Sequence, residues 1–147
     1  MNGRWEFVKT AIIAILIIVP VRLWVAQPFI VSGASMEPTL ETGDYLIIDE
    51  ISYRLEKPEK GDIIVFRYPL DTSKFFIKRV EGLPGEIVEY NGKETVLRNN
   101  EYFVMGDNHP ASSDSRSWGP VREELIIGKT LIRLWPITKF GLVPDLQ

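Results

Sequence analysis

The sequence predicts a mainly β protein, a β-rich domain carried on one N-terminal transmembrane helix. Three observations lead there. The run from Thr10 to Val21 contains no charged residue, and its apolar character continues to Val31, broken by Arg22 and Gln27. Beyond it, short runs of β-branched and aromatic residues recur, with turn-forming residues between them. The 147 residues leave room for one modest core and no second one.

The N-terminal segment divides into a short cytoplasmic stretch (1–9) and an anchor (10–31). As a helix the anchor would measure about 33 Å at about 1.5 Å per residue, enough for a hydrocarbon layer. Trp5 and Trp24 suit the two interfaces, Pro20 and Pro28 suggest a kink and then an end, and Arg22 requires an interface or a partner. Arg4 and Lys9 precede the span, and neither Lys nor Arg occurs from Trp24 to Tyr53. That asymmetry puts the N-terminus in the cytoplasm and residues 32–147 outside, as an extracytoplasmic domain on a single-pass protein of the plasma membrane. A cleavable secretory signal and a buried helix are the competing readings. The first lacks a prompt small-x-small site, and the second would show an apolar stripe rather than an apolar cylinder.

Seven strands are expected after the anchor: Tyr45–Asp49, Asp62–Arg67, Phe75–Val80, Ile87–Tyr90, Thr95–Leu97, Tyr102–Met105 and Thr130–Leu134. Asn91-Gly92 is a two-residue hairpin signal, and Pro84-Gly85 suits a type II turn with glycine at positive φ. A short helix is expected over Val121–Ile126, after Pro120.

Composition excludes several chemistries. There is no cysteine, so disulfides, thiol nucleophiles and thiolate metal sites are ruled out. With His109 the single histidine, a His-rich metal cluster is impossible and a Ser-His-Asp triad would have to use that residue. A net charge of −3 without a basic block gives no sign of a nucleic-acid partner.

Three stretches carry candidate chemistry. Ser32 to Leu40 sets Ser35 among small residues, where a backbone N–H could face a developing oxyanion; such a stretch after a membrane span also reads as plain linker. In Phe75 to Val80, strand alternation puts Phe76, Lys78 and Val80 on one face and Arg79 on the other. A lysine among apolar neighbours loses hydration, its pKa falls, and as a neutral amine it can take a proton from a serine hydroxyl. The alternative is an exposed lysine reaching water. Gly106 to Arg116 is a dense polar loop after an apolar strand, in which Asp114 and Arg116 could form a bidentate pair and Ser112 could orient an amine; a solvated turn is the bland alternative.

Together these stretches resemble the type I signal peptidases, or leader peptidases. Ser-Met-Glu-Pro-Thr-Leu (35–40) is similar to the family's serine box and Gly43-Asp44-Tyr45-Leu46 to the next. Lys78-Arg79-Val80-Glu81-Gly82-Leu83-Pro84-Gly85-Glu86 resembles its lysine box, and Gly106 to Arg116 its last. The resemblance implies a coiled antiparallel β-sheet catalytic domain, of the kind shared by signal peptidases and repressor-type peptidases. It also implies a Ser–Lys dyad, with Ser35 as nucleophile and Lys78 as general base. Ser112 would orient the Lys78 amine, Asp114 and Arg116 would hold the site's shape, the Ser35 N–H would serve the oxyanion, and Met36 would help line the substrate cleft. The implied substrates are secretory preproteins with small residues at the first and third positions before the cut. The implied setting is a phospholipid membrane; the apolar stretches Leu134-Trp135-Pro136-Ile137 and Phe140-Gly141-Leu142 could rest on lipid or, equally, pack in the core or at the edge of the last strand. No metal or organic cofactor is needed. Gly33 stands where some members carry a serine, His109 where arginine is common, and Glu86 where aspartate is commoner. Rival readings are a self-cleaving repressor-type peptidase, a maturation peptidase of conjugation systems, and a non-catalytic anchored β domain. The oligomeric state is not encoded legibly.

Overall fold

The computed structural model describes residues 2–24 and 26–144. In chain order the elements are α1 (Asn2–Trp24), β1 (Ala26–Ile30), β2 (Tyr45–Asp49), α2 (Ser52–Leu55), β3 (Ile63–Tyr68), β4 (Asp71–Gly82), β5 (Ile87–Tyr90), β6 (Lys93–Val96), β7 (Glu101–Met105), α3 (Ser115–Trp118), β8 (Val121–Arg122), β9 (Ile126–Trp135) and β10 (Gly141–Leu142).

The stretch read as one span over 10–31 is divided. Helix α1 ends at Trp24, and residues 26–30 form a strand paired antiparallel with β2, from Ala26 opposite Asp49 to Ile30 opposite Tyr45. Pro28 explains the change: it has no N–H for a helix interior but is tolerated in an edge strand, and β1 is the sheet's edge. Among the described residues no helix is long and apolar enough to cross a membrane. The side chains of Pro20, Arg22 and Trp24, expected near an interface or a kink, lie outside the described set. Along α1, Phe7, Ile13 and Leu16 are more than half exposed.

Among the described residues eight strands form one sheet in the order β1-β2-β9-β3-β4-β7-β8, with β10 added to β9, and every pairing is antiparallel. Strand β3 lies at its centre and is buried on both faces. Ile63 and Val65 join Met36, Leu40, Leu46 and Ile48 in one core, whereas Ile64 and Phe66 join Val80, Tyr102, Val104 and Val121 in the other. Continuous apolar character in β3 is the signature of a strand covered on both sides. Gly128 lets β9 close on β2, since a Cβ there would lie 2.3 Å from the Asp49 carbonyl oxygen.

The expected turns form. Asn91 and Gly92 take φ of 51° and 73° between β5 and β6, and Gly85 takes 86° where the Glu86 N–H donates to the Leu83 carbonyl. The helix expected over Val121–Ile126 does not form. Val121 pairs with Tyr102 as β8, and Glu123–Leu125 make one 3₁₀ turn. The Glu123 N–H is taken by the Asn100 carbonyl at 2.8 Å, so long-range pairing displaces the local helical bonds.

Candidate active site

Ser35 sits in the turn after β1, on a loop that the sheet holds at both ends. The Val31 N–H donates to the Asp44 carbonyl at 2.9 Å, and the Gly43 N–H returns to the Val31 carbonyl at 2.9 Å. Next to Ser35, Met36 is fully buried in the first core with Leu40. The expectation that Met36 lines the cleft is therefore corrected. Its side chain anchors the serine's turn from below, because an unbranched thioether fills core space that only an apolar group can occupy.

Strand β4 brings the lysine. Opposite Ile64 in the pairing with β3, Lys78 is only 4% exposed. Its Nζ donates to Ser35 Oγ at 2.8 Å and to the carbonyl of Ile77 at 2.8 Å, with the Phe76 ring centroid 5.3 Å away. Burial lowers the amine from 10.5 to about 8, against a smaller upward pull from the Asp114 charge. A lysine in this state supplies neutral amine near neutral pH, within hydrogen-bond distance of a hydroxyl.

The other side of β4 carries a second buried basic side chain. Arg79, 2% exposed, reaches Asp107 through two hydrogen bonds of 2.8 Å and the Gly61 carbonyl through one of 2.7 Å. Burial pushes the Asp107 carboxyl up, but hydrogen bonds from Arg79 and Thr39 outweigh it and hold the group below its ordinary range. The pair fixes the start of the polar loop. From there the Asn108 N–H donates to the Ser35 carbonyl at 3.0 Å and its side-chain amide to the Ala34 carbonyl at 3.0 Å. Sequence reasoning missed these residues. Strand alternation placed Arg79 opposite Lys78, but nothing local marks an asparagine that bonds 74 positions away.

Gly106 makes the approach possible. A Cβ there would lie 2.4 Å from the Ser35 carbonyl oxygen and 2.3 Å from Ser112 Oγ. Asp114 is wholly buried and collects donors: Ser112 Oγ at 2.6 Å, the Gly106 N–H at 3.1 Å, and Arg116 Nε and Nη2 at 2.7 Å each. The bidentate Asp114–Arg116 pair forms as the sequence suggested. Burial alone would raise the Asp114 carboxyl; these hydrogen bonds override it and keep the group ionised well below the usual range. The Ser112 hydroxyl is engaged differently from the expectation, since it donates to Asp114 rather than bonding the Lys78 amine. A full carboxylate is the stronger acceptor for a hydroxyl.

Ser35 and Lys78 open onto a cleft of about 470 Å³. One wall is the edge strand β1 and the residues after it, from Phe29 to Ala34. The facing wall is β4 from Lys74 to Lys78, and Ala111 and Ser113 close the end beside the serine. In the register given by the structure, β4 pairs with β7 only from Arg79 onward, so Phe75–Lys78 have a sheet partner on the β3 side alone. Among the described residues the Ser35 N–H has no hydrogen-bond partner.

A hydroxyl held against a buried amine at the end of a β-lined cleft is a layout suited to a serine hydrolase. A family model described as signal peptidase, peptidase S26, matches residues 4–99 and 91–135. A protein named probable signal peptidase I-2 from Synechocystis sp. is 37% identical over 98% of this chain and 79% of its own length. Signal peptidase I of Leptolyngbya laminosa is 34% identical over 92% of this chain and 82% of its own. A solved signal peptidase I structure from Enterococcus faecalis V583 is 29% identical, with a TM-score of 0.44 over 50% of this chain and 97% of that one. The chain belongs to the signal peptidase family and is a serine endopeptidase of the hydrolase class.

Proposed function

We propose that the chain is a membrane-anchored endopeptidase that removes signal peptides from exported preproteins with a Ser35–Lys78 dyad. The observation that carries this reading is the 2.8 Å contact between Ser35 Oγ and the buried Lys78 Nζ at the closed end of the cleft. In the first half-reaction Ser35 Oγ attacks the scissile carbonyl carbon as its proton passes to neutral Lys78 Nζ. The proton then goes to the leaving amine, the C–N bond breaks, and an acyl-enzyme remains. Lys78 takes a proton from the incoming water, which attacks the ester; the amine returns the proton to Ser35 Oγ as the acid product departs. The unpartnered Ser35 N–H suits the developing oxyanion, with backbone donors alone because Gly33 offers no hydroxyl. Asp114, Arg116 and Ser112 act on shape: they hold the loop that carries Gly106 and Asn108 against the serine.

The two half-paired edges, β1 and Phe75–Lys78, suit a substrate segment that adds as a strand between them. The floor of the cleft is made by Val31, Leu46 and Val65, core side chains that leave room for short apolar groups, which fits the Ala-x-Ala preference implied by the family resemblance. Membrane attachment is supported by α1, whose exposed Phe7, Ile13 and Leu16 suit lipid better than water, and by exposed Trp135, Ile137, Phe140 and Leu142 at the far end of the chain. The orientation puts the N-terminus inside and the catalytic domain outside.

The test uses the full chain in detergent with a preprotein bearing an Ala-x-Ala site, alongside Ser35→Ala and Lys78→Ala. Cleavage after the second alanine by the parent, lost in both variants, is the expected result. Cleavage by Ser35→Ala would remove the nucleophile assignment. Flotation of the parent with liposomes, and its loss when residues 1–24 are deleted, checks the anchor.

A further inference from the structure

We propose that Tyr90, on the β5–β6 hairpin, is a positioning residue that sets the working pH of the site by holding Arg116 on Asp114. The inference rests on the dyad reading and concerns a residue that no part of the mechanism uses. The hairpin forms its own two-stranded sheet, and its last residue before the turn reaches across to the polar loop. Arg116 Nη1 donates to the Tyr90 hydroxyl at 3.1 Å, and the guanidinium carbon lies 5.1 Å from the Tyr90 ring centroid. The His109 ring meets the same tyrosine edge-on at 6.5 Å, and the His109 carbonyl accepts from Arg116 Nη2 at 2.8 Å. Arg116 is thus clamped on one side by a ring and a hydroxyl, on the other by the Asp114 carboxylate.

The consequence reaches Lys78 through charge. Asp114 is the charged group that draws the Lys78 amine upward, against burial. Arg116 offsets that charge from the same loop; His109 in that loop, the Arg79–Asp107 pair beside it, and Lys74, ion-paired with Asp71 at the far end of the cleft, are further titratable or charged groups nearby. If Tyr90 releases Arg116, the Asp114 charge is less compensated, the ammonium form of Lys78 gains, and its midpoint moves up. An active site that loses compensation in this way stays folded but needs a higher pH to work.

The experiment follows the Lys78 side chain by NMR in the full chain with ¹³C-labelled lysine, across pH 6 to 11, for the parent, Tyr90→Leu, Tyr90→Phe and Val96→Thr. Assignment comes from Lys78→Arg, which deletes the signal. Tyr90→Leu, which keeps an apolar group but loses ring and hydroxyl, should raise the Lys78 midpoint on the order of half a pH unit, roughly threefold in neutral amine on the acidic side. Tyr90→Phe, which keeps the ring, should raise it by less, and is the fallback should the leucine variant not fold. Val96→Thr alters an exposed hairpin position away from Arg116 and should leave the midpoint where it is. An unmoved midpoint in both Tyr90 variants, or an equal movement in Val96→Thr, overturns the proposal. Because the titration needs no substrate, it is separate from the dyad reading, which fails if the parent cleaves nothing or Ser35→Ala still cleaves. Where cleavage is measured, the acidic limb of kcat/KM should move up in Tyr90→Leu, with the plateau at high pH near the parent value.

Discussion

Replacing Lys78 by methionine should abolish cleavage and at the same time stabilise the fold. Burial lowers the amine from 10.5 to about 8, so between those values the unfolded chain binds a proton that the folded chain does not. Below about pH 8 both states are protonated, and the folded state carries the full cost of an enclosed cation. At about 1.36 kcal/mol per pH unit, that cost is roughly 3 kcal/mol. As pH climbs from about 8 towards 10.5 the folded state sheds its proton first, stability rises, and the cost fades. Methionine has a similar reach and no charge, but it gives up the bonds to Ser35 Oγ and the Ile77 carbonyl, each about 1 kcal/mol. The net gain at pH 6.5 is then about 1–2 kcal/mol, or about 2–8 °C in Tm for a chain of this size. Thermal unfolding of both proteins in detergent at pH 6.5, 8 and 10.5 checks it, with the advantage of the variant shrinking at each step. A variant less stable at pH 6.5, or an advantage independent of pH, would refute the argument that the amine is desolvated. The same ionisation should give the parent enzyme an acidic limb in kcat/KM near pH 8, falling about tenfold per pH unit below it, which a pH–rate profile checks.

Two further substitutions probe the support of the site. Gly106→Ala places a methyl where the Ser35 carbonyl and Ser112 hydroxyl stand, and should lower kcat by about a hundredfold or more with a much smaller change in Tm; steady-state kinetics and melting curves together decide it. Arg79→Met leaves Asp107 unpaired and should cost about 3–5 kcal/mol in denaturant unfolding, whereas Arg79→Met with Asp107→Leu should cost less than the sum of the two single changes.

Much of this arrangement was legible in the sequence, for reasons that differ by element. β2 and β5 fall at their expected bounds because turn residues flank apolar runs on both sides. β4 begins earlier than expected, at Asp71, since Asp71 to Lys74 are polar and only pairing with β3 makes them a strand. Over residues 26–30 an apolar run looked like the end of a span and is an edge strand; hydropathy alone does not separate the two. The family and the enzyme class were legible because four short boxes stand in order. Ser35 and Lys78 could be singled out only through the boxes that hold them, since Ser32 and Thr39 share the first stretch and Arg79 the second. The partners of Ser112, the burial of Met36 and the grip of Asn108 depend on which loops meet in space, and local sequence does not encode that meeting. Tyr90 carried no signal at all: it ends a hairpin strand like any tyrosine.

Lys78 and Arg79 stand side by side on β4 and face opposite ways, one to the serine and one to Asp107. Sliding β4 by one residue against β3 would bring either Arg79 or Ile77 to the serine, a guanidinium that does not give up its proton to become a base or an aliphatic side chain that has no base to offer. Strand register is therefore a form of proofreading: a chain that misaligns this one pair of strands is inert rather than wrongly active. Single-residue insertions between Phe75 and Arg79 should therefore leave the chain without activity.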